Sequence, residues 1–263
     1  MDLALDGRSA LVCGASAGLG FATARELAQE GAQVVIVSRS EERLDRAAAA
    51  IRKETGGTVH PVAADLTDPE TPRRIVAECS DRFGCVDILV ANGGGPPSMP
   101  ATEAGSDDLE AACRLLLLPV QRLVAACLPG MRRRRWGRIV AITSIAVREP
   151  QPGLVLSNAL RAAVTGYLKS VADEVAADGV TVNTVLPGFT ATERLGELAG
   201  TLASREGTTE AAVLDGWAAR TPMGRLLEPA EVAAAVAFLV SDRASGMTGV
   251  ALPVDGGFGR GLL

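Results

Sequence analysis

Three stretches of the chain carry groups that could do chemistry together: "GASAGLG" at 14–20, the serine of "ITSIA" at 144, and "SNALR" at 157–161. In the first, Gly14, Gly18 and Gly20 permit a tight turn, close approach of a diphosphate and close helix-to-strand packing, with Ser16 and Leu19 between them. A β-rich run precedes this turn and a helical pattern follows it, so the start of that helix would face the negative charge. Ser144 and Ser157 carry hydroxyls, and Arg161 follows Ser157 by four residues, on the same helix face. A serine hydroxyl is a weak acid and arginine essentially never deprotonates, so solvent or the substrate would have to furnish a proton.

Further residues surround this set. The second β-rich run ends "VSRS", where an acidic side chain would accept ribose hydroxyls; Ser38 carries no such charge and Arg39 carries the opposite one. The Arg39 fork could pair with a 2′-phosphate or stack on adenine, which favours NADP(H), with NAD(H) as the alternative. Asp65, followed by Leu66, could accept a hydrogen bond from adenine N6. Asn92, followed by Gly93, could fasten two backbone segments beside the cofactor; both residue types also serve as turn caps. "REPQPGLVL" at 148–156 sets Arg148 on the expected pocket rim, where with Arg161 it would favour a carboxylate, phosphate or enolate-like substrate. A solvent-facing arginine is the other reading.

The elements that must position these groups are short apolar runs alternating with longer helical patterns. "SALVCG", "QVVIVS", "TVHPVA", "DILVAN", "RIVAIT" and "VTVNTVL" read as strands, nearly continuous in apolar character as buried parallel strands are. Helical patterns at 18–30, 41–54, 69–83, 107–131 and 155–178 separate them, a further helix is expected at 229–240, and a last strand near 249–254. The expected fold is α/β, a Rossmann-type doubly wound, mainly parallel sheet with helices on both faces. No linker divides residues 1–263, which read as one domain. The stretch 188–222 is polar, alanine-rich and poorly periodic, and reads as an irregular helical lid.

Composition narrows the classes. At 263 residues the chain can bury about 70% of its surface. A net charge of −5 argues against nucleic acid, and "RRRRW" at 132–136 reads as a helix end whose arginines suit the carbonyl-rich terminus. No run approaches the roughly 18 apolar residues of a membrane helix, and the first residues lack a signal-like pattern, so no membrane role and a cytoplasmic location are expected. Cys13, Cys79, Cys85, Cys113 and Cys127 are odd in number without C-x-x-C spacing and read as reduced thiols. His60 reads as a loop or strand-end residue without a partner, and no metal site is expected.

Taken together, "GASAGLG", "DL" at 65–66, "ANGGG" at 91–95, "ITSIA" at 142–146, "VNTVLPG" at 182–188, "PMGRLLEPAEVA" from 222 and "TGVALPVDGG" ending at 257 resemble the classical short-chain dehydrogenase/reductase family. The likeness covers essentially the whole chain and includes its 3-oxoacyl-[acyl-carrier-protein] reductase-like members. It implies diphosphate contacts at Gly14, Gly18 and Gly20, adenine contact at Asp65, a cofactor-proximal Asn92 and a carbonyl-orienting Ser144. Pro187 and Gly188 fall on its nicotinamide-side turn, Thr192 near the carboxamide, and Gly94 and Phe189 on the substrate pocket. Members carry a tyrosine thirteen residues beyond that serine and a lysine four further, positions held here by Ser157 and Arg161. Tyr167, the only tyrosine, lies ten residues farther, about 15 Å along a helix, and Lys169 follows it by only two. Leu116 falls at or near the family's relay asparagine. The resemblance also implies a homodimer or homotetramer formed through the helices at 107–131 and 155–178. Three functions stay open: an NADP-dependent oxidoreductase reducing a ketone or anionic carbonyl compound with an atypical Ser/Arg site, a weakly catalytic NADP(H)-binding regulatory protein, and a non-redox lyase, isomerase or cyclase.

Overall fold

The computed structural model describes residues 2–261. Seven parallel strands form one sheet: β1 (Ser9–Cys13), β2 (Gln33–Ser38), β3 (Val59–Ala63), β4 (Ile88–Ala91), β5 (Gly137–Ile142), β6 (Val180–Pro187) and β7 (Ala251–Val254), in the spatial order β3-β2-β1-β4-β5-β6-β7. Every residue of β1, β4, β5 and β6 is buried, which accounts for their unbroken apolar reading. Alternate residues supply two cores. Ala10 and Val12 face one with α1 (Gly18–Gln29), α2 (Glu41–Thr55) and α8 (Pro229–Val240). Leu11 and Cys13 face the other with α3 (Thr71–Phe83), α4 (Ser106–Arg134) and α5 (Val155–Val175). The doubly wound α/β fold is therefore the one expected.

The order of the strands creates the site. β1 pairs with β2 on one side and β4 on the other, so the crossovers diverge at the carboxyl ends of β1 and β4, the place where such sheets leave a crevice. Gly14 follows β1 there and Asn92 follows β4. Local signals set the helix ends around it. Ser40 caps α2 by accepting from the Arg43 amide at 3.3 Å, and Gly56 ends it at φ +69°. Pro229 opens α8, preceded by a Glu228/Glu231 capping box.

Four features differ from the sequence reading. The 188–222 stretch is not irregular: α6 (Glu193–Glu206) and α7 (Glu210–Arg220) pack as a helical hairpin, each capped by a threonine, Thr192 and Thr209. His60 lies within β3, and its Nε2 stands 3.3 Å from Glu78 Oε1 on α3. α4 has the length and mean hydropathy of a membrane-crossing helix, yet Leu123, Val124, Cys127 and Met131 pack on the sheet, as in a core helix. The arginine run is tied down rather than merely solvated: Arg132 pairs with Asp178 at 2.6 Å, Arg134 donates to the Val86 carbonyl at 2.7 Å, and Arg135 donates to that of Ala177 at 2.8 Å. The five cysteines are free thiols, with burial pushing those of Cys13 and Cys79 up to about 12.

Candidate active site

The glycine turn and Asn92 are built around each other. Asn92 Nδ2 donates to the carbonyls of Cys13 and Gly14, 3.3 Å each, fastening the end of β4 to the turn after β1. A Cβ on Gly20 would lie 2.2 Å from the Gly14 carbonyl oxygen and 2.9 Å from Asn92 Nδ2, and Gly14 itself sits at φ +59°. Neither position admits a side chain without moving backbone. Ala17 precedes α1 with no side-chain cap, so the first turn offers its amides to a ligand. Ser38 Oγ donates to Ser16 Oγ at 3.0 Å, joining β2 to the same turn. Gly18 faces the Thr192 methyl, 3.5 Å from a Cβ placed there, which brings the base of the helical hairpin against the turn. Leu19 packs on the core beside it.

At the end of β2, Arg39 is exposed. Asp65 Oδ1 accepts from the Thr67 amide at 2.9 Å and its hydroxyl at 2.8 Å. These bonds hold the carboxyl below its usual range, with a smaller contribution from Arg39. Asp65 is thus a turn cap whose Oδ2 takes no part in the turn. Leu66, Asn92, Gly93, Leu116 and Arg161 line a cavity of about 40 Å³ between α4 and the sheet, space for one or two waters.

The three residues read as catalytic converge at the end of β5. Ser144 is extended at φ −170° and caps the short helical turn 145–147, its Oγ accepting from the Ala146 amide at 3.1 Å. Arg161, from α5, donates through Nη1 to the carbonyls of Thr143 at 2.9 Å and Ile142 at 3.3 Å, and through Nε to Ser157 Oγ at 3.1 Å. Its Nη2 points to the Gly94 carbonyl at 3.5 Å. One guanidinium therefore braces the strand end next to Ser144, the Ser157 hydroxyl and the loop after β4. Burial, with Arg194 adding to it, pushes its pKa down to about 10, so it is a cation at neutral pH. Tyr167 is different in kind: partly buried against the α4/α5 core, with its phenol pushed up by burial and by Glu174. An acid-base phenol needs the opposite shift.

Of the remaining expected residues, Pro187 ends β6 and Gly188 continues it by donating to the Val254 carbonyl at 2.9 Å; a Cβ there would meet Asp255 Cα at 2.7 Å. Phe189 stacks on Trp217 of α7 with centroids 5.0 Å apart and meets the Phe258 edge at 5.2 Å, so it anchors the hairpin to the C-terminal tail. Arg148 is exposed, and its Nη2 donates to the Ala251 carbonyl of β7 at 2.7 Å. It stands apart from the Arg161 group in these bonds. Arg194, in the first turn of α6, was not among the expected residues, yet its Nη2 donates to the Pro96 carbonyl at 3.2 Å across the mouth of the crevice. The signal available for it was its place two residues after Thr192.

Residues 14–259 match a family model described as Enoyl-(Acyl carrier protein) reductase. The chain is also 38% identical over 253 residues to the 3-oxoacyl-[acyl-carrier-protein] reductase of Vibrio cholerae, covering 96% of this chain and 98% of that one. The chain belongs to the short-chain dehydrogenase/reductase family. Solved members of similar shape include the L-sorbose reductase of Gluconobacter frateurii in complex with NADPH and L-sorbose, 33% identical, with a TM-score of 0.94 over 100% of both chains. Another is an actinorhodin polyketide ketoreductase with NADPH, 32% identical, TM-score 0.92, covering 97% of this chain and 98% of that one. Within this short-chain dehydrogenase/reductase, the glycine turn, the Asn92 clamp and the serine after β5 occupy one continuous crevice edge.

Proposed function

We propose that the protein is an NADP(H)-dependent oxidoreductase that reduces a carbonyl substrate, with Ser144, Ser157 and Arg161 taking the places of the usual acid-base machinery. The observation that carries this reading is the bonding of the two serines. Each hydroxyl oxygen already accepts a hydrogen bond, from the Ala146 amide and from Arg161 Nε, which leaves each O–H free to donate to a carbonyl oxygen. Arg161, held on two backbone carbonyls, supports that oxygen as negative charge grows on it.

The crevice suits a dinucleotide: the side-chain-free surface at Gly14 and Gly20 leaves room for a diphosphate, and the uncapped start of α1 supplies amides for it. Arg39 would hold a 2′-phosphate, Asp65 and Leu66 the adenine side, and Asn92 and Gly93 the ribose side, with NADP(H) favoured over NAD(H). When bound, the nicotinamide supplies hydride. Pro187, Gly188 and Thr192 would flank the ring, and Gly94, Phe189 and the hairpin at 188–222 would close over the substrate. The NADPH complexes of the L-sorbose and polyketide reductases support the same cofactor. An apolar Leu116 beside the cavity leaves no side-chain proton relay at that point, so the proton enters from the crevice or from the substrate. The same family likeness supports a single domain and assembly as a dimer or tetramer through α4 and α5.

One observation favours a second reading, an NADP(H)-binding regulator: none of the three residues is a ready proton donor. A panel of cyclic, aromatic and 3-oxoacyl ketones with NADPH separates the two. NADPH oxidation matched by alcohol formation supports the reductase; tight NADPH binding without turnover across neutral pH supports the regulator.

A further inference from the structure

Arg161 carries a positive charge with no carboxylate within ion-pair distance among the described residues; its partners are carbonyls and one hydroxyl. A partly buried charge of this kind is costly unless something of opposite sign comes to it. The charged side chain that acts on it alongside burial is another cation, Arg194. Arg194 and Arg161 both grip the short loop after β4: Arg161 Nη2 reaches the Gly94 carbonyl, Arg194 Nη2 donates to the Pro96 carbonyl, and the Arg194 guanidinium lies 3.0 Å from where a Cβ on Gly95 would stand. Arg194's own counter-charge, Glu197 at 3.2 Å, is three residues along the same helix, and both side chains are more than half exposed. Such a pair contributes little and gives way readily to a better acceptor.

We propose that Arg161 and Arg194 form a carboxylate-binding subsite over the Gly94–Pro96 loop, so that the substrate is a keto acid held by its carboxylate with the carbonyl directed to Ser144 and Ser157. This rests on the reductase reading and adds the substrate class. A carboxylate suits the donors that remain: the second Nη2 hydrogen of Arg161 and the Nε–H and further Nη hydrogens of Arg194, each guanidinium being a planar fork. That Arg161's pKa is lowered in part by Arg194 agrees with two cations awaiting an anion. The hairpin helix α6 would then report on substrate charge directly, because Arg194 is its contribution to the loop.

The test uses the full protein loaded with NADP⁺, which cannot reduce a ketone, and compares binding of 3-oxobutanoate with that of methyl 3-oxobutanoate by calorimetry. The two probes share the 3-oxobutanoyl chain and ketone carbonyl and differ in charge and in one ester methyl. The acid should bind about ten- to a hundredfold more tightly than the ester, the range for hydrogen bonds to a charged group. Arg194→Gln should cut the ratio about tenfold, while Arg205→Gln, at the far end of the same helix, should preserve it. A ratio near one in the wild type, absence of acid binding, or a ratio that Arg194→Gln leaves in place would overturn the subsite. Because the dead-end complex requires no turnover, a charge ratio that obeys these expectations without NADPH oxidation by either the ketone panel or 3-oxobutanoate would retain the subsite and remove the reductase reading.

Discussion

Replacing Arg161 with methionine removes the guanidinium while keeping an unbranched, apolar side chain that extends about as far as Nε, beside the cavity lined by Leu116 and Val164. Three bonds of 3.3 Å or less disappear, two to the carbonyls of Ile142 and Thr143 and one to Ser157 Oγ, together with the longer approach to Gly94. Each is charge-assisted and worth about 1.5–3 kcal/mol, but the variant also escapes the cost of holding a guanidinium out of water. The net loss of stability should therefore be modest, about 1–3 kcal/mol, and visible as a lowered thermal midpoint. The catalytic loss should be larger. Ser157 loses the donor that orients its hydroxyl toward the reacting oxygen, and the substrate carboxylate loses one of its two cations, so kcat for ketone reduction should fall by roughly 10²–10³, the size of the loss of one oxyanion donor. Arg161→Lys keeps the charge but cannot span Ser157, two strand-end carbonyls and the loop at once, so it should fall between wild type and Arg161→Met. Steady-state NADPH oxidation, with NADPH affinity measured separately, checks this. A kcat for Arg161→Met within a few-fold of wild type, or a loss lying entirely in NADPH affinity, would refute the assignment of Arg161 to the reacting oxygen.

Other consequences are as direct. Arg39→Ala should weaken NADPH about ten- to a hundredfold and NADH far less, because only the 2′-phosphate offers the fork a charged partner; competition binding of the two cofactors shows it. Gly20→Ala should abolish measurable cofactor binding in a protein that retains its far-ultraviolet circular dichroism, since the added methyl carbon would stand 2.2 Å from the Gly14 carbonyl oxygen in the glycine turn. Glu231 donates no proton at neutral pH: Arg225, first, and the Glu228 amide hold its carboxyl down at about 2, from 4.5. A carboxylate with a depressed folded pKa stabilises the fold above its unfolded value and loses that contribution as pH falls toward the folded one. Glu231→Gln should thus be less stable than wild type at pH 6 to 7, with the gap narrowing between 4.5 and 2 in acid-unfolding curves.

The parts of this molecule legible in its sequence are those where one residue's environment is set by near neighbours in the chain. The strands could be read because β1, β4, β5 and β6 are buried on both faces and so apolar throughout. The glycine turn could be read because φ +59° and a 2.2 Å approach allow nothing else at Gly14 and Gly20. The spacing from Ser144 to Ser157 and Arg161 was equally readable, and the structure brings all three to the end of β5. The hairpin was hidden because α6 and α7 bury few side chains, chiefly Ala199, Ala203 and Trp217, which leaves a faint period in an alanine-rich stretch. Glu78 as the partner of His60 and Pro96 as the partner of Arg194 depend on a strand and helix meeting, and on a hairpin folding back over the crevice; no local pattern encodes either. Arg148 shows the converse: its position near Ser144 suggested a pocket rim, but the turn at 145–147 carries it to the edge strand β7.

The most direct measurement is a single-turnover experiment in which the NADPH-loaded protein is mixed with the ketone panel, 3-oxobutanoate included, and loss of reduced-nicotinamide absorbance is compared with alcohol formed. One alcohol per NADPH oxidised, slowed by Ser144→Ala, Ser157→Ala and Arg161→Met, is the expected result. Saturable NADPH binding with no oxidation by any ketone, or oxidation that these three substitutions leave untouched, would contradict a Ser/Arg reductase.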